Sequence, residues 1–565
     1  MHIVLARLAG ERAVAVELDD HGSEVGAREI DAGALGSFVA QAEARRPRWV
    51  WNDTRAWYPA LLAEGVRIDR CVDLALSHRI LRLSTLSARS ALALAPPTGW
   101  DAIAAIDDAP VDTAVLFDLD GDPDVAEPSP DADRDAVLAE FRLQQDALTT
   151  SSEPGRLRLL LAAESAGALI AAEMQYAGLP WRTELHDALL SDLLGPRPMP
   201  GARPAKLEAL AAAVRTALDV PGLNPDSQAD LLRALKRAGL IVSSTRSWEL
   251  KKVDHPSIAP LLEYKKLSRL ASANGWTWMD SWIRDGRFHP DYIPGGVVTG
   301  RWATRGGGAL QLPRQVRGAV VADPGWKLVV ADAAQLEPRI LTGMSADTAM
   351  AAAGRGKDLY EGIVASGAVD ERAHAKVAML GAMYGATTGE SGRLMPRLTK
   401  AFPRAIRLVE EAARAGERGD IVTSRLGRSS PRPGAAWLQT QGSASAPDST
   451  EADERRARSQ ARDWGRFTRN FVVQASAAEW ALCWMAELRK RLIAMTPPAT
   501  RLEQGPHLVY FLHDEVIVHT PERIADEVAA TVAASAQEAG RLLFGTFPVE
   551  FPVTAAVVDT YAEAK

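Results

Sequence analysis

Two strongly apolar segments of this sequence each end in an aspartate, at the point where polar residues resume. Asp332 ends the first segment in VVADAAQLEPRI, and Asp514 ends the second in FLHDEVIVH. Short apolar runs bounded by polar residues are typical of buried strands. Two such strands can present their carboxylates at one site, and a pair of carboxylates can hold two divalent ions roughly 4 Å apart.

A helical segment lies between these two aspartates in the sequence. Arg372, Lys376, Leu380 and Tyr384 recur every four residues, a spacing that places them along one face of a helix. Cations on such a face can hold a triphosphate, and the aromatic ring in the last turn can meet a base. Together with the aspartates, this face predicts nucleotidyl transfer.

Three ordered motifs resemble those of the family A DNA polymerases. The segment DAAQLEPR, which begins at Asp332, resembles motif A, the helix from Arg372 to Gly385 resembles motif B, and HDE around Asp514 resembles motif C. One such motif alone would be a weak signal, but three in the right order and approximate spacing are specific. Further segments also match: Thr299-Gly300-Arg301 and LQLP resemble the family's TGR and LQN segments, and NFVVQ resembles its NxxxQ helix.

The resemblance implies a role for each matching residue. Asp332 and Asp514 would bind two Mg²⁺ ions, for which Mn²⁺ could substitute, Lys376 would be a triphosphate ligand and general acid, and Glu515 would tune the site. The residues expected to contact the dNTP are Arg372, Lys376, Leu380, Tyr384, Glu337, Gln335 and Tyr360. Those expected to contact primer-template DNA are Arg301, Gln311, Arg466, Asn470, Gln474, His513, Lys265 and Lys266.

The sequence departs from the family pattern at three places. Motif A usually reads DYSQIELR, and here Ala333, Ala334 and Pro338 replace Tyr, Ser and Leu. Leu380 stands where the family usually has Phe or Tyr, so one aromatic wall against the sugar is missing. Tyr360 occupies the place of the histidine in a DIH segment. We therefore expect unusual nucleotide affinity or sugar discrimination.

The resemblance implies an α+β multidomain fold: a right-hand polymerase preceded by a ribonuclease H-like exonuclease-type domain, with no 5′ nuclease domain. We expect the exonuclease-like domain at residues 1–150 and the polymerase at 151–565. Within the polymerase, the helical thumb would span about 151–290, the palm about 291–355 and 470–565, and the fingers about 356–469. The composition of residues 439–460 (QTQGSASAPDSTEADERRARSQ) is typical of a disordered loop.

Composition agrees with a soluble, multidomain protein in a bacterial cytoplasm. The chain has 565 residues, 47% of them hydrophobic, two cysteines and no secretory signal. The net charge of −7 is concentrated in residues 101–135, which contain twelve Asp or Glu and one Arg. Basic runs at 263–269 and 455–469 are candidates for DNA backbone contact or, alternatively, solvated helix faces. We expect a monomer that binds primer-template DNA and dNTPs and no membrane.

The sequence thus predicts a template-directed DNA polymerase of repair or replication. The exonuclease is expected to be inactive, because Glu17 and Asp19 only approximate its first acidic pair, and Ala56 stands where an Asp should follow Asn52. A fourth carboxylate would come from Asp131, Asp133 or Asp135, and none of them has the expected Tyr four residues earlier. Two alternatives remain open: a bifunctional polymerase and 3′ to 5′ exonuclease, and a non-catalytic primer-template binding factor.

Overall fold

The computed structural model describes residues 1–8, 12–102, 133–199, 201–306, 308–386, 389–497 and 500–564. The chain divides into two compact units. Unit 1 comprises Met1–Ala177, Asp291–Gly306 and Gly325–Val557, and unit 2 comprises Gly178–Pro290, Gly307–Pro324 and Val558–Lys565. Residues 103–132 of the acidic segment 101–135, including Asp131, lie outside the described residues.

The described residues form fourteen strands and twenty-one α-helices. The strands are β1 (His2–Arg7), β2 (Ala13–Leu18), β3 (Glu24–Ile30), β4 (Arg48–Trp51), β5 (Cys71–Asp73), β6 (Leu179–Pro180), β7 (Ile283–Arg284), β8 (Arg287–Phe288), β9 (Tyr292–Ile293), β10 (Ala303–Thr304), β11 (Trp326–Ala333), β12 (His507–Leu512), β13 (Glu515–Pro521) and β14 (Val553–Val558). The helices are α1 (Leu35–Glu43), α2 (Thr54–Ala63), α3 (Leu74–Leu83), α4 (Ala91–Leu94), α5 (Arg134–Thr149), α6 (Pro154–Ala177), α7 (Thr183–Leu194), α8 (Ala205–Leu218), α9 (Gln228–Arg237), α10 (Ser247–Leu250), α11 (Ile258–Asn274), α12 (Trp276–Trp282), α13 (Leu336–Ser345), α14 (Thr348–Gly354), α15 (Leu359–Ala365), α16 (Arg372–Tyr384), α17 (Gly389–Ala401), α18 (Pro403–Glu417), α19 (Ala435–Ala444), α20 (Glu451–Ala494) and α21 (Ala525–Phe544). Among these described helices, none is both long and apolar enough to cross a membrane.

Unit 1 begins with a five-stranded sheet of order β3-β2-β1-β4-β5. The first three strands are antiparallel, whereas β4 and β5 run parallel to β1. Successive side chains of a strand point to opposite faces, so the apolar sequence of β1 supplies Ile3 and Leu5 to one core and Val4 and Ala6 to another. Both faces of this sheet are therefore covered.

A second sheet of unit 1 has the order β12-β13-β11-β14. The apolar segments that end at Asp332 and Asp514 form β11 and β12, as the sequence predicts. Strands β11 and β13 are antiparallel neighbours, and β12 and β13 form a hairpin. The helix α20 packs against α6, α18 and α21.

The prediction of a disordered loop at residues 439–460 is wrong. Helix α19 continues to Ala444, and α20 begins at Glu451, so most of this segment is helical. The start of α20 is stabilised by a capping box in which Thr450 and Asp453 exchange hydrogen bonds. Ion pairs four residues apart, including Arg455–Glu451 and Arg458–Glu454, add to this stability. Local helix signals outweigh the polar composition.

Unit 2 contains α7 to α12 and a three-stranded sheet of order β6-β8-β7. Its helical core includes Val214, Leu231, Leu235 and Leu261. The segment expected to form a helical thumb, about 151–290, is thus divided, because α6 belongs to unit 1. The roles assigned to the domains stay predictions.

Candidate active site

The two aspartates lie at the same end of the second sheet. Asp332 is opposite Glu515 in the β11–β13 register, and the backbone N–H of Ala333 donates to the carbonyl oxygen of Asp514 at 2.9 Å. Asp514 follows His513 in the tight β12–β13 turn, and His513 takes the left-handed conformation (φ 57°) that this turn requires. Asp332 and Asp514 are half-buried, and Glu515 is buried. The strand pairing therefore brings together two carboxylates separated by 182 positions.

Helix α16 forms where the four-residue spacing predicts a helix. Arg372, Lys376 and Tyr384 are exposed and Leu380 is half-buried. The opposite face, which includes Ala375 and Met379, is buried in unit 1. The helix ends at Gly385, whose left-handed φ of 75° is a common way to close a helix.

A hydrogen-bonded network joins four of the predicted motifs. Arg301 pairs with Glu337 Oε1, and the Tyr384 hydroxyl donates to Glu337 Oε2 at 2.9 Å. Gln474 Nε2 donates to the Tyr384 hydroxyl at 3.4 Å. Burial and the charge of Glu337 raise the pKa of Tyr384, so the phenol stays protonated and able to donate. The network holds the last turn of α16 beside motif A.

Asp358 connects the start of α16 to motif A. Its Oδ2 accepts from Arg372 Nη2 at 2.8 Å and from Gln335 Nε2 at 2.7 Å, while Oδ1 accepts from the backbone N–H of Glu361. Partial burial opposes ionisation, but Arg372 and the backbone N–H donors lower the pKa of Asp358 overall. Sequence reasoning missed this role, although an aspartate directly before a helix is a recognisable N-cap signal.

Tyr360 lies next to this pair. The Arg372 guanidinium is 5.5 Å from the centre of the Tyr360 ring, which is 6% exposed. Burial, followed by the charges of Glu337 and Asp358, raises the pKa of Tyr360 to about 12. The ring therefore packs beneath Arg372, and a direct phosphate contact by Tyr360 stays a prediction.

The predicted DNA-contacting residues are spread over both units. In unit 1, Arg466 is exposed, pairs with Asp463 and lies against Gly385, while Asn470 is half-buried on the same helix. His513 is exposed, and the partial burial of its ring, followed by the charge of Arg301, lowers the pKa of His513.

The remaining three predicted DNA contacts belong to unit 2. Lys265 donates to the carbonyl oxygen of Thr245 at 2.5 Å, whereas Lys266 is exposed beside Glu263. Gln311 is the last residue of a short 3-10 helix, Ala309–Gln311. The amine of Lys265 therefore has a structural partner, and its contact with DNA stays a prediction.

A profile of the family described as DNA polymerase family A matches residues 223–563, a range that contains every predicted site residue. The DNA polymerase I of Chloroflexus aurantiacus is 29% identical over 339 residues, which cover 54% of this chain and 32% of that protein. The thermostable DNA polymerase I of Thermus filiformis is 26% identical over 344 residues, covering 55% of this chain and 37% of that protein. This chain thus spans about a third of the length of the curated relatives that it matches.

One solved structure is similar over the entire chain. It is the POL domain of Pol1 from M. smegmatis in complex with DNA primer-template and dNTP. The TM-score is 0.66 and the identity 18%, and the match covers 100% of this chain and 95% of that chain. At this identity the likeness concerns the fold, and it confirms the α+β polymerase fold predicted from the sequence.

Proposed function

This chain belongs to DNA polymerase family A, and we propose that it is a template-directed DNA polymerase of repair or replication. It would add a deoxynucleoside monophosphate to a primer 3′ hydroxyl and release pyrophosphate, acting as a monomer. The observation that carries the proposal is the meeting of Asp332 and Asp514 at one end of a sheet. The likeness to a polymerase domain bound to primer-template DNA and dNTP supports these two substrates.

Asp332 and Asp514 would hold two Mg²⁺ ions. A half-buried carboxylate on β11 and another in the neighbouring β12–β13 turn suit this role, because Mg²⁺ prefers oxygen ligands and is commonly held by one or two carboxylates together with substrate phosphates. No group of three or more His, Cys, Asp or Glu side chains in the described ranges is placed to hold a metal, so water and nucleotide oxygens would supply further ligands. When bound, the ions stabilise charge on the attacking and leaving oxygens.

The other side chains of the site would bind and orient the nucleotide. Arg372 and Lys376 would bind the triphosphate, and Lys376 would donate a proton to the departing pyrophosphate. Tyr384 would stack on the nascent base pair, and Glu337 would lie beneath the ribose and exclude a 2′ hydroxyl. Exposure of the cations on α16 supports access by a nucleotide.

The amino-terminal region, residues 1–150, is proposed to lack exonuclease activity. Leu18 is opposite His2 in the sheet, and His2 is opposite Arg48, so the end of β2 lies at the start of β4. Glu17 and Asp19 therefore lie at the opposite end of the sheet's strands from Asp53, which follows the end of β4 and is the carboxylate nearest in sequence to the missing Asp at Ala56. Glu17 also pairs with Arg45, and Asp19 accepts backbone hydrogen bonds in a turn. Carboxylates at opposite ends of the strands are poorly placed to share the two metals that this chemistry needs.

Primer extension with labelled primer-template, Mg²⁺ and dNTPs tests the polymerase proposal. Wild type should extend the primer, and Asp332→Asn or Asp514→Asn should abolish extension while retaining primer-template affinity. Asp526→Asn, at an exposed carboxylate in the first turn of α21, is the matched control and should extend normally. A wild-type protein that binds primer-template but never extends it would instead be a non-catalytic binding factor.

A further inference from the structure

The hairpin at residues 291–305 carries the predicted primer-template motif at its tip. Ile293 pairs with Ala303, and Arg305 N donates to the carbonyl oxygen of Asp291, which closes its base. At the tip, Gly300 N donates to the carbonyl oxygen of Val297 at 2.7 Å, so the turn ends immediately before Arg301. The position of Arg301 therefore depends on how this hairpin is held.

A residue with a side chain would fit poorly at position 300, where the turn has Gly300. Its φ of 81° lies in the left-handed region, and a Cβ there would overlap the guanidinium of Arg428. The tip is thus packed tightly against its surroundings in unit 1. A displacement at the base of the hairpin would be transmitted to the tip, because closely packed segments move together.

Two arginines of the amino-terminal region donate to the base of the hairpin. Arg55 Nη2 donates to the carbonyl oxygen of Tyr292 at 2.9 Å and lies 3.6 Å from an Asp291 carboxylate oxygen. Arg79 Nη2 donates to the carbonyl oxygen of Gly295 at 3.2 Å. These contacts border a cavity of about 370 Å³ that both arginines help to line. One side of the hairpin base is therefore attached to the amino-terminal region.

The helices that carry the two arginines are hydrogen-bonded to a common residue at their starts. Arg55 lies in the first turn of α2 and Arg79 lies on α3. Asp73 caps α3 by accepting from Leu76 N, and its second oxygen accepts from Thr54 N at the start of α2. The buried carboxylate of Asp73 therefore joins the starts of both helices at the ends of β4 and β5.

The other side of the hairpin base contacts the strand that leads to Asp514. The Tyr292 hydroxyl donates to the carbonyl oxygen of Phe511 at 2.6 Å and accepts from Phe511 N at 3.0 Å. Trp302 packs between these residues, with ring centres 5.1 Å from Tyr292 and 5.2 Å from Phe511. The hairpin is thus held between the amino-terminal region and β12.

We propose that the amino-terminal region positions the hairpin for primer-template binding, with Arg55 and Arg79 as positioning residues. This inference rests on the proposed polymerase function and assigns a purpose to a region that is proposed to lack exonuclease activity. The arginines do not need to touch DNA themselves. They hold the backbone of residues 292–295, and through it the turn that presents Arg301.

Two measurements on the full-length protein test the proposal. In steady-state extension, Arg55→Ala/Arg79→Ala should raise the KM for primer-template about tenfold, equivalent to about 1.4 kcal/mol, and leave the KM for dNTP within about twofold. Arg55→Lys/Arg79→Lys should recover most of the affinity, because lysine still donates to a carbonyl. Arg70→Ala, which removes a similar bond to the carbonyl oxygen of Arg46, should behave like wild type.

Hydrogen exchange of the free protein tests the same contacts without activity. The amides of Gly300 and Arg305 should exchange faster in the double alanine variant and in each single variant that stays folded, and at the wild-type rate in Arg70→Ala. The proposal would be overturned if the double alanine variant kept the wild-type exchange rates in the hairpin or the wild-type KM for primer-template. It would also be overturned if the KM for dNTP rose in parallel with the KM for primer-template. Failure of wild type to extend primers would refute the proposed function alone, since the exchange result stands independently.

Discussion

The hydroxyl of Tyr384 donates to Glu337 Oε2 at 2.9 Å, although the two residues are 47 positions apart in the sequence. Glu337 Oε1 is paired with Arg301, so both carboxylate oxygens are engaged. The side chain of Glu337 is 16% exposed. A residue expected to crowd the ribose is therefore held in one orientation by two partners.

Removing the Glu337 side chain should weaken discrimination against ribonucleotides. We expect Glu337→Ala to raise ribonucleotide relative to deoxynucleotide kcat/KM by about tenfold or more, since excluding a small group from a pocket is worth about 1–3 kcal/mol. Glu337→Gln keeps the volume and should keep most of the selectivity. Equal selectivity in wild type and Glu337→Ala would show that another residue guards the sugar.

The pair between Arg372 and Asp358 should oppose nucleotide binding. Arg372 must leave Asp358 to reach a triphosphate, and an exposed ion pair is worth about 1 kcal/mol or less. Asp358→Asn should therefore lower the KM for dNTP by up to about fivefold, without changing the KM for primer-template. Asp347→Asn is a matched control, because Asp347 also caps a helix. A higher KM for dNTP in Asp358→Asn would mean that Asp358 orients Arg372 for binding.

If the protein has the proposed polymerase activity, Leu380 should make it use dideoxynucleotides poorly. The half-buried Leu380 offers no hydroxyl near the sugar, and the family resemblance places an aromatic residue here. Leu380→Tyr should improve dideoxynucleotide incorporation, measured as chain termination at equal nucleotide concentrations, whereas Leu380→Phe restores the ring alone. Efficient termination by wild type would contradict this prediction.

Exonuclease activity should be absent from the wild-type protein. A 3′-mismatched, end-labelled primer incubated with Mg²⁺ or Mn²⁺ and no nucleotides should remain intact, because Glu17 and Asp19 lie at the opposite end of the strands from Asp53. The control preparation carries Asp332→Ala, which excludes any contribution from the polymerase site. Degradation that persists in this variant and disappears in Glu17→Ala/Asp19→Ala would make the protein bifunctional.

A buried ion pair should govern the acid stability of unit 1. Glu173 accepts from Arg489, Arg67 and the Tyr58 hydroxyl. Burial alone would raise the pKa of Glu173, but the charges and hydrogen bonds of Arg489 and Arg67 outweigh it and lower the pKa to about 2. The resulting stabilisation is present above the ordinary pKa of a glutamate and is lost as pH falls from there through about 2.

Glu173→Gln tests this assignment by urea unfolding. At pH 7 it should reduce the free energy of unfolding by about 3–5 kcal/mol, the range for breaking a buried pair. Its stability should also fall less than that of wild type between pH 5 and pH 2, as expected from linkage. Glu24→Gln breaks the more exposed Arg134–Glu24 pair and should cost about 1 kcal/mol or less. An equal loss of unfolding free energy in Glu173→Gln and Glu24→Gln would contradict the prediction.

Local sequence patterns determined the elements that carry the site. The four-residue spacing from Arg372 to Tyr384 predicted α16, and the apolar runs before Asp332 and Asp514 predicted β11 and β12, because helix and strand periodicities are set by neighbours in the chain. The same local physics explains the error at residues 439–460. There, the Thr450–Asp453 capping box and ion pairs favoured a helix that composition alone had concealed.

Only the tertiary structure decided which side chains meet. Three contacts join residues that are far apart in the sequence: Arg301 with Glu337, 36 positions apart, Tyr384 with Gln474, 90 positions apart, and Arg55 with Tyr292, 237 positions apart. No periodicity within a single element encodes such partners, since they depend on strand order and helix packing across unit 1. The sequence therefore determined the chemistry available to this protein, and the packing of its elements determined how those groups are held.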